Sequence, residues 1–352
     1  MAFRVLISAG EASGDLYAAH LATALKARVP NAEFFGCAGP RMRERGVRPV
    51  VDASRLAVVG LVEVLLHIPR IYGEYRTLCR AIAADRPDVA ILTDSPDFHL
   101  RIARYITRLP GRPIPVIYLV APQAWAWRKG RLPKMRRVID RLLCIFPFEE
   151  EFFRRHGIET TYIGHPLAHL VRASTSRAEF FARHGLPSSR PLVALLPGSR
   201  HGEASRHLPA VLDAADLIQA SHPASFVLAL PRESNARERL ALSFWERIRR
   251  SSIKVIEGET WDALAHADLA LAASGTVTVE AALLGAPMVT YYRVTALSWL
   301  LGKLLLRVPF YSMVNLVAGR KVVPELMQNE MTAGRLASEA LRLLGDPQAC
   351  AV

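Results

Sequence analysis

Ten short apolar runs, separated by stretches of helical character, constrain the fold of this chain more than any other feature of its sequence. Several of these runs end in Gly, Ser, Asp or Pro, the residues expected where a strand leads into a functional loop. Strands that alternate with helices form parallel sheets. The sequence therefore predicts an α/β protein, with the strand candidates FRVLISAG, AEFFGCAG, DVAILTD, PVIYLVAP and RLLCIFP in the first half and LVALLPGS, SFVLALP, IKVIEG, LALAASG and PMVTYY in the second.

The two series of strands are separated by residues 165–191, a stretch that ends in a Pro/Ser-rich segment. A chain of 352 residues is also too long for one ordinary core. We therefore predict two Rossmann-like, doubly wound domains, residues 1–166 and 167–352. We expect them to face each other, with the active site in a cleft lined by the carboxyl ends of both sheets. The last helix is a candidate for packing back on the N-terminal domain.

The composition excludes several classes of protein. A hydrophobic content of 51% and a charged content of 22% describe a globular chain. No segment reaches the roughly 18–20 uninterrupted apolar residues of a membrane span, and the N-terminus lacks a signal-peptide pattern. The cysteines are scattered without a CxxC pair, so we expect neither a metal site nor a disulfide framework, and we expect a cytoplasmic location. They are Cys37, Cys79, Cys144 and Cys350. We also expect no cofactor.

The net charge of +13 is unevenly distributed. Between Arg101 and Arg141 there are eleven Lys or Arg residues and a single acid, Asp140. Such a stretch suits a polyanion, either nucleic acid or an anionic membrane surface. The only aromatic–basic cluster, QAWAWRKGR at 123–131, matches no nucleic-acid-binding module. We therefore expect an anionic membrane surface and no nucleic acid, with a solvated helix face as the alternative.

The loop after the first strand has an unusual composition for the start of a Rossmann-like domain. In LISAGEASGD, Glu11 and Asp15 lie on either side of Ser13 and Gly14. An anion-binding loop at a helix start is usually rich in Gly and has no acid beside the ligand. This loop therefore calls for a ligand other than a phosphate.

The turn after the first strand of the second series has the opposite character. LVALLPGSR places Gly198, Ser199 and Arg200 between a buried strand and a helix. Free N–H groups, a hydroxyl and a guanidinium together make an anion site suited to a diphosphate.

A second turn in the same half strengthens this interpretation. In SGTVTVE, Ser274, Gly275 and Thr276 open a helix, and Glu280 follows one turn later on the same face. The helix start can hold phosphate, while the carboxylate accepts hydrogen bonds from a ribose diol. The two turns together predict a nucleotide-sugar site.

These turns belong to a longer series of ordered motifs: SAGEASGD, AGPRM, AVVGLVEVL, SPDF, PQAWAWR, FPFE, YIGHP, LLPGSR, SGT followed by VE, PMV, YR, VNLVAGR and VPELMQNE. Over about residues 4–345 the chain resembles the lipid-A-disaccharide synthases, inverting glycosyltransferases with two Rossmann-like domains (the GT-B fold) and no required metal. The resemblance implies that UDP-2,3-diacylglucosamine and 2,3-diacylglucosamine 1-phosphate (lipid X) are joined to a β-1,6-linked disaccharide 1-phosphate, with release of UDP.

The resemblance also implies roles for individual residues. Asp94 of DSPDF is the expected base that deprotonates the attacking hydroxyl, and Arg200 offsets charge on the leaving UDP. The alternative for an Asp at a strand end is a helix cap, a role that Asp97 fits better. Because the N-terminal domain handles the acceptor, Glu11 and Asp15 are expected to accept hydrogen bonds from sugar hydroxyls. The neighbouring small residues, Ser13 and Gly14, would let the ring approach the backbone.

Five further motif residues are substrate-binding candidates. We expect Asn315 to contact the donor, with an internal hydrogen bond as the alternative. For the others, a substrate contact and a structural role remain open. They are Gln123, His165, which also suits a hinge, Glu325 and Gln328.

Substrates with two acyl chains each stay in the bilayer, so we expect peripheral attachment to the inner face of the inner membrane. Residues 60–72 are a candidate docking helix, with a buried core helix as the alternative; Pro69 is expected to kink or end it. Its apolar positions are Leu61, Val64, Leu65, Ile68 and Tyr72. A homodimer is a further expectation. The alternative functions are a UDP-N-acetylglucosamine 2-epimerase of the same architecture and a non-catalytic membrane-surface glycolipid carrier.

Overall fold

Two parallel sheets organise the chain. The computed structural model describes residues 2–56, 61–126, 128–198, 201–230, 241–296, 298–300 and 308–346. The chain divides into two compact units, Met1–Pro166 and Leu167–Val352, and each unit is built around one sheet.

Unit 1 is a seven-stranded parallel sheet flanked by helices. The strand order is β3-β2-β1-β4-β5-β6-β7, so the order reverses between β1 and β4. The elements are β1 (Phe3–Ser8), α1 (Ala12–Arg28), β2 (Ala32–Ala38), α2 (Pro40–Glu44), β3 (Arg48–Asp52), α3 (Leu61–Asp85), β4 (Val89–Thr93), α4 (Pro96–Ile106), β5 (Val116–Leu119), α5 (Leu132–Val138), β6 (Arg141–Cys144), α6 (Pro147–Arg155) and β7 (Thr160–Tyr162).

Unit 2 repeats this plan with six strands, and its order reverses between β8 and β11. The order is β10-β9-β8-β11-β12-β13. The elements are α7 (Leu167–Leu170), α8 (Arg177–His184), β8 (Leu192–Leu196), α9 (His201–Ser221), β9 (Ser225–Leu230), α10 (Leu242–Arg250), β10 (Lys254–Glu257), α11 (Thr260–His266), β11 (Leu269–Ala273), α12 (Thr276–Leu283), β12 (Met288–Tyr292), α13 (Met313–Ala318), β13 (Glu325–Met327) and α14 (Ala333–Gly345). The last helix, α14, packs on α9 and on β11 and β12 of its own unit.

All ten predicted strands are confirmed, and the parallel pairing is confirmed with them. Three described strands were not predicted: β3, β7 and β13, of five, three and three residues. Each lies at the edge of its sheet. An edge strand has a neighbour on one side only and needs less apolar sequence, which explains why the pattern of apolar runs missed them.

The helix α3 continues through Pro69 to Asp85, so this proline does not end it. Just around it, Ile68 and Tyr72 are 51% and 56% exposed. The side chains of Leu61, Val64 and Leu65 lie outside the described part of the chain. Among the described residues, no helix combines the length and apolar character that a bilayer crossing requires.

Candidate active site

The first site is built where β4 ends, at the point where the strand order of unit 1 reverses. Asp94 and Ser95 have φ values of +49° and +35°, in the left-handed region that non-glycine residues seldom adopt. Two buried side chains stabilise this turn, because His99 Nδ1, at 3.0 Å, and the Tyr118 hydroxyl both donate to the Asp94 carbonyl oxygen. His99 Nε2 in turn accepts a hydrogen bond from Ser8 Oγ at 2.8 Å. The turn is thus fixed by side chains from β1, α4 and β5.

The Asp94 carboxylate is held by the backbone of the loop after β1. Its Oδ1 accepts from Gly10 N at 2.8 Å and its Oδ2 from Glu11 N at 3.1 Å. The side chain is 12% exposed. Burial, with the Glu11 charge as a second cause, raises the pKa of Asp94 well above its usual value, and the two backbone N–H bonds oppose this shift. The carboxylate is therefore oriented, and it is more basic than an exposed aspartate.

The two glycines of this loop are required by the turn that carries Asp94 and Ser95. A Cβ on Gly14 would lie 1.7 Å from Asp94 Oδ2, and a Cβ on Gly10 would lie 2.4 Å from Ser95 Oγ. Gly14 is buried in the first turn of α1. The structure thus gives Gly14 a reason other than room for a sugar ring, namely room for the carboxylate.

Asp15 has a different position from the one expected of a sugar ligand. It is 2% exposed, and its carboxylate accepts hydrogen bonds from the backbone N–H groups of Gly39 (2.9 Å), Arg41 (3.0 Å) and Met42 (3.2 Å). Burial raises the pKa of Asp15, and these bonds oppose the shift. The side chain caps the start of α2, so the described contacts give Asp15 a structural role, and its expected bond to a sugar hydroxyl stays a prediction.

Glu11 and Ser13, the other polar candidates of this loop, are more accessible than Asp15. Glu11 is exposed at the N-cap of α1, and Ser13 is half-buried in the first turn.

The N-cap of α4 is Ser95, so the expectation that Asp97 caps this helix is wrong. Asp97 instead forms ion pairs with Arg128 and Arg131, each at 2.7 Å.

The other motif residues of unit 1 lie in loops after β5 and β7. Gln123 is exposed in the turn after β5, where its carbonyl accepts from Ala126 N. The ring of His165 packs against Tyr17 and Phe146, at centroid distances of 6.2 and 5.5 Å. Burial lowers the pKa of His165 to about 4, so the ring is neutral near pH 7.

A buried carboxyl that the sequence analysis missed connects two of the motifs. Glu149, which ends FPFE, accepts from the Trp125 indole at 2.9 Å and from Phe146 N at 3.1 Å. It is 1% exposed, and burial raises its pKa to about 7. The signal was present, since FPFE and PQAWAWR both belong to the ordered motifs, but one sequence does not show which side chains of two motifs meet.

In unit 2 the first expected phosphate turn is only partly described. Gly198 has a φ of +113°, and a Cβ there would lie 3.0 Å from Glu203 Oε2. The expectations for Ser199 and Arg200 fall outside the described residues. The position after β8 thus requires glycine on both conformational and steric grounds.

The second phosphate turn has an accessible helix start. Gly275, the N-cap of α12, and Thr276 are exposed. Ser274 Oγ donates to the carbonyl oxygen of Tyr311 at 3.1 Å. Glu280 is half-buried one turn along α12. The backbone N–H groups and the Thr276 hydroxyl therefore remain at the surface, where an anion can reach them.

Asn315 is buried, and its amide is fully used within the protein. Its Nδ2 donates to Val323 O (2.9 Å) and Glu325 Oε1 (2.8 Å), while its Oδ1 accepts from Val322 N (2.7 Å) and Val323 N (2.9 Å). A primary amide has two donors and two principal acceptor positions. Glu325 also accepts from the backbone of Tyr311 and Ser312. These bonds form the internal network that is the alternative for Asn315, and its expected donor contact stays a prediction.

Gln328 likewise has internal partners. Its amide donates to Val294 O at 2.9 Å and accepts from Val294 N at 3.0 Å. Two side chains not singled out in the sequence complete this region. The buried His207 joins Pro197 O (2.7 Å) to Arg293 N (3.0 Å), and the Arg293 side chain donates to the carbonyl oxygens of Gln328 and Met331. These bonds tie the ends of β8, β12 and β13 together.

The described residues contain no group of three or more His, Cys, Asp and Glu side chains arranged to hold a metal ion. Two doubly wound parallel sheets define a protein of the two-Rossmann-domain, GT-B fold class. A UDP-GlcNAc 2-epimerase from Neisseria meningitidis, solved bound to UDP-GlcNAc, has this fold with a TM-score of 0.67 at 12% identity, covering 99% of this chain and 93% of its own. The glycotransferase of kitacinnamycin gives a TM-score of 0.63 at 17% identity, with 99% and 92% covered.

The family model "Lipid-A-disaccharide synthetase" matches residues 5–351. The lipid-A-disaccharide synthase of Solibacter usitatus is 64% identical over 97% of this chain and 87% of its own length. That of Geobacter metallireducens is 44% identical over 98% and 88%. The chain belongs to the lipid-A-disaccharide synthetase family, a family of glycosyltransferases that make the lipid A disaccharide. The resemblance seen in the motifs is confirmed.

Proposed function

We propose that this chain transfers the diacylglucosamine unit of UDP-2,3-diacylglucosamine to the 6-hydroxyl of lipid X, with Asp94 as the general base. The oriented, buried Asp94 carboxylate is the single observation that carries this assignment. In the reaction, the proton of the 6-hydroxyl passes to Asp94 while its oxygen bonds to the anomeric carbon of the donor. The bond from that carbon to the diphosphate breaks on the opposite side, which inverts the configuration, and UDP leaves with the electron pair.

The environment of Asp94 suits this task. A general base is most effective when its pKa lies near the working pH, and burial moves the pKa of Asp94 in that direction. The carboxylate accepts one backbone N–H bond on each oxygen and a further hydrogen bond from the Ser95 side chain, and a carboxylate has about four acceptor positions in all. The hydroxyl proton can therefore be accepted without breaking the bonds that orient the group.

Unit 2 supplies the donor site in this proposal. The exposed start of α12 with Thr276 binds the diphosphate, and Glu280 accepts from the ribose hydroxyls. Gly198 lets the backbone after β8 come close to the ligand. The sequence places Ser199 and Arg200 directly after it, where the guanidinium would stabilise negative charge on the departing UDP.

Acyl chains require the protein to work at a bilayer surface, and two features support peripheral attachment. Large apolar side chains on α3, Ile68 and Tyr72, are more than half exposed. The basic run 101–141 adds charge, and each Lys or Arg near an anionic surface contributes on the order of 1 kcal/mol. We propose the inner face of the inner membrane as the location.

The proposal is tested by incubating the full chain with UDP-2,3-diacylglucosamine and lipid X and measuring disaccharide and UDP. Asp94→Asn should lower the rate by at least about 10²-fold while UDP binding survives. The matched control is Asp85→Asn, which removes an acid in a surface ion pair with Arg48. The absence of disaccharide with the unmodified chain would refute the function, and near-normal turnover of Asp94→Asn would remove this residue from the mechanism.

The donor site has its own measurement, a titration with UDP. Arg200→Ala and Glu280→Ala should each weaken binding, since a charge-assisted hydrogen bond is typically worth about 1.5–3 kcal/mol. Unchanged UDP affinity in both variants would place the nucleotide elsewhere.

A further inference from the structure

A compact group of cations lies on the exposed side of α4 and α5 in unit 1. Asp97, Arg101 and Arg104 follow one another at helical spacing on one face of α4. The helix α5 contacts α4 and adds Lys134, and the turn before it adds Arg128 and Arg131. We call the five cations the α4–α5 basic cluster: Arg101, Arg104, Arg128, Arg131 and Lys134.

One carboxylate fixes two members of this cluster in place. Arg128 Nη1 and Arg131 Nη2 both donate to Asp97 Oδ2 at 2.7 Å. The Arg131 side chain is only 11% exposed, whereas that of Arg128 is 46% exposed. The two guanidinium groups thus share one carboxylate oxygen, and Arg131 is the more buried of the two.

The other three cations add charge that no described residue neutralises with an ion pair. Arg101, Arg104 and Lys134 have no ion pair to any described residue. Partial burial, followed by the charges of Arg101 and Arg104, lowers the pKa of Lys134. The five cations therefore lie near one another with two of them paired to Asp97, and the cluster attracts a ligand with more than one negative charge.

The cluster lies beside the proposed base. Asp97 is three residues after Asp94, in the first turn of α4. Tyr118 donates its hydroxyl to the Asp94 carbonyl, and Arg131 is near enough for its charge to act on this hydroxyl, although burial is the main cause of the raised pKa of Tyr118. An acceptor whose hydroxyl meets Asp94 would therefore have its far end next to these cations.

We propose that the α4–α5 basic cluster binds the phosphate monoester at the other end of the acceptor sugar. This inference rests on the proposed function, in which the acceptor carries a 6-hydroxyl and a 1-phosphate. A phosphate monoester is close to a dianion at pH 7, and planar guanidinium groups bind its oxygens in pairs. Phosphodiester headgroups of a bilayer share this chemistry but carry a single charge and no attached acceptor hydroxyl.

The test compares two acceptors, lipid X and the same diacylglucosamine without its phosphate. Lys134→Ala should raise KM for lipid X about tenfold or more and leave KM for the donor and for the phosphate-free acceptor unchanged. The preference of the enzyme for the phosphorylated acceptor then shrinks by the same factor. Lys134→Arg keeps the charge and should restore most of this preference. The matched control is Arg28→Ala, which removes an exposed cation at the end of α1 and should change neither KM.

Sedimentation with vesicles that contain anionic phospholipid separates the two sources of phosphate. If Lys134→Ala loses activity equally with both acceptors and also binds the vesicles less, the proposal is overturned in favour of a membrane role. Titration with acyl-free glucosamine 1-phosphate gives a readout that needs no turnover. Weaker binding of glucosamine 1-phosphate to Lys134→Ala than to the unmodified protein supports the site. This holds even if no disaccharide forms, because the absence of disaccharide would refute only the proposed function. Equal binding to both proteins would overturn the site.

Discussion

Replacing Gly14 by alanine should separate catalysis from stability more clearly than any other single change in unit 1. The added Cβ would lie 1.7 Å from Asp94 Oδ2 and 2.8 Å from Asp94 Cγ. The backbone at Gly14 is ordinary helix, so alanine itself is compatible with the main chain. The substitution therefore acts on the carboxylate of Asp94 rather than on the path of α1.

The size of the effect follows from the distances. Ordinary contacts of a Cβ begin at 3.4 Å, so the carboxylate must move by roughly 1.7 Å. It cannot move so far and keep both bonds to Gly10 N and Glu11 N. A misplacement of about 1 Å can lower a rate by about 10²-fold, so we expect kcat to fall by at least this factor. Alanine stabilises a helix by about 0.5–1 kcal/mol relative to glycine, which offsets part of the strain.

The assay is the initial rate of disaccharide formation, together with the midpoint of urea unfolding and the affinity for UDP. Gly73→Ala is the matched control, because this glycine also lies inside a helix but a Cβ there meets nothing within 4 Å. The control should keep the full rate and gain a few tenths to about 1 kcal/mol of stability.

A second measurement tests whether Gly14→Ala acts through the Asp94 carboxylate. In the Asp94→Asn background, adding Gly14→Ala should cost little further activity, because the two changes act through the same group. A folded Gly14→Ala with the unmodified kcat would refute the assignment of the Asp94 carboxylate as the base. Two losses of activity that simply add would instead show that Gly14→Ala does not act through this carboxylate.

Three further predictions concern charge, the membrane and pH. Glu11→Gln removes a charge that raises the pKa of the proposed base, so the acidic limb of the kcat/KM profile should move to lower pH, and an unmoved limb would contradict this. Replacing both Ile68 and Tyr72 by serine should reduce sedimentation with anionic vesicles. The control Leu217→Ser, which changes another exposed apolar residue, should not reduce it. Equal sedimentation of both variants would exclude α3 as the docking helix. Because burial raises the pKa of Glu149 from 4.5 to about 7, its contribution to stability is full below pH 4.5 and is lost as the pH rises to about 7. Urea unfolding across this range should show that fall in the unmodified protein but not in Glu149→Gln, and parallel curves would disprove it.

The sequence determined the interior strands because each of them needs an apolar run long enough to be covered on both faces of a sheet. The strands β8 and β11 are entirely buried, and their sequences, LVALL and LALAA, contain no polar residue. The edge strand β13 has the sequence ELM. Its first residue, Glu325, is one of the polar residues of the motif VPELMQNE. These residues therefore suggested a binding site in the sequence, whereas in the structure they form an edge strand. An edge strand pairs with one neighbour only and needs little apolar sequence.

The polar residues show what one sequence cannot reveal. The position of Asp15 in a loop of small residues suits a ligand, but its partners are backbone groups 24 to 27 residues away, at the start of α2. The amide of Asn315 likewise has partners on a segment that no spacing rule connects to it. Motif position shows that a polar side chain is needed, but only the folded chain shows whether a ligand or the backbone needs it.

The two motifs of unit 1 are therefore best understood as parts of one structure. The motif SAGEASGD supplies the N–H groups of Gly10 and Glu11 and the space at Gly14, and the motif DSPDF supplies the carboxylate that occupies them. These loops leave neighbouring strands whose register pairs Ser8 with Leu92. A shift of one residue in that register would move the Asp94 carboxylate by about 3.3 Å, far from its two donors. The position of the proposed base is thus set by the pairing of β1 with β4, which explains why a loop that carries acids and glycines follows the first strand.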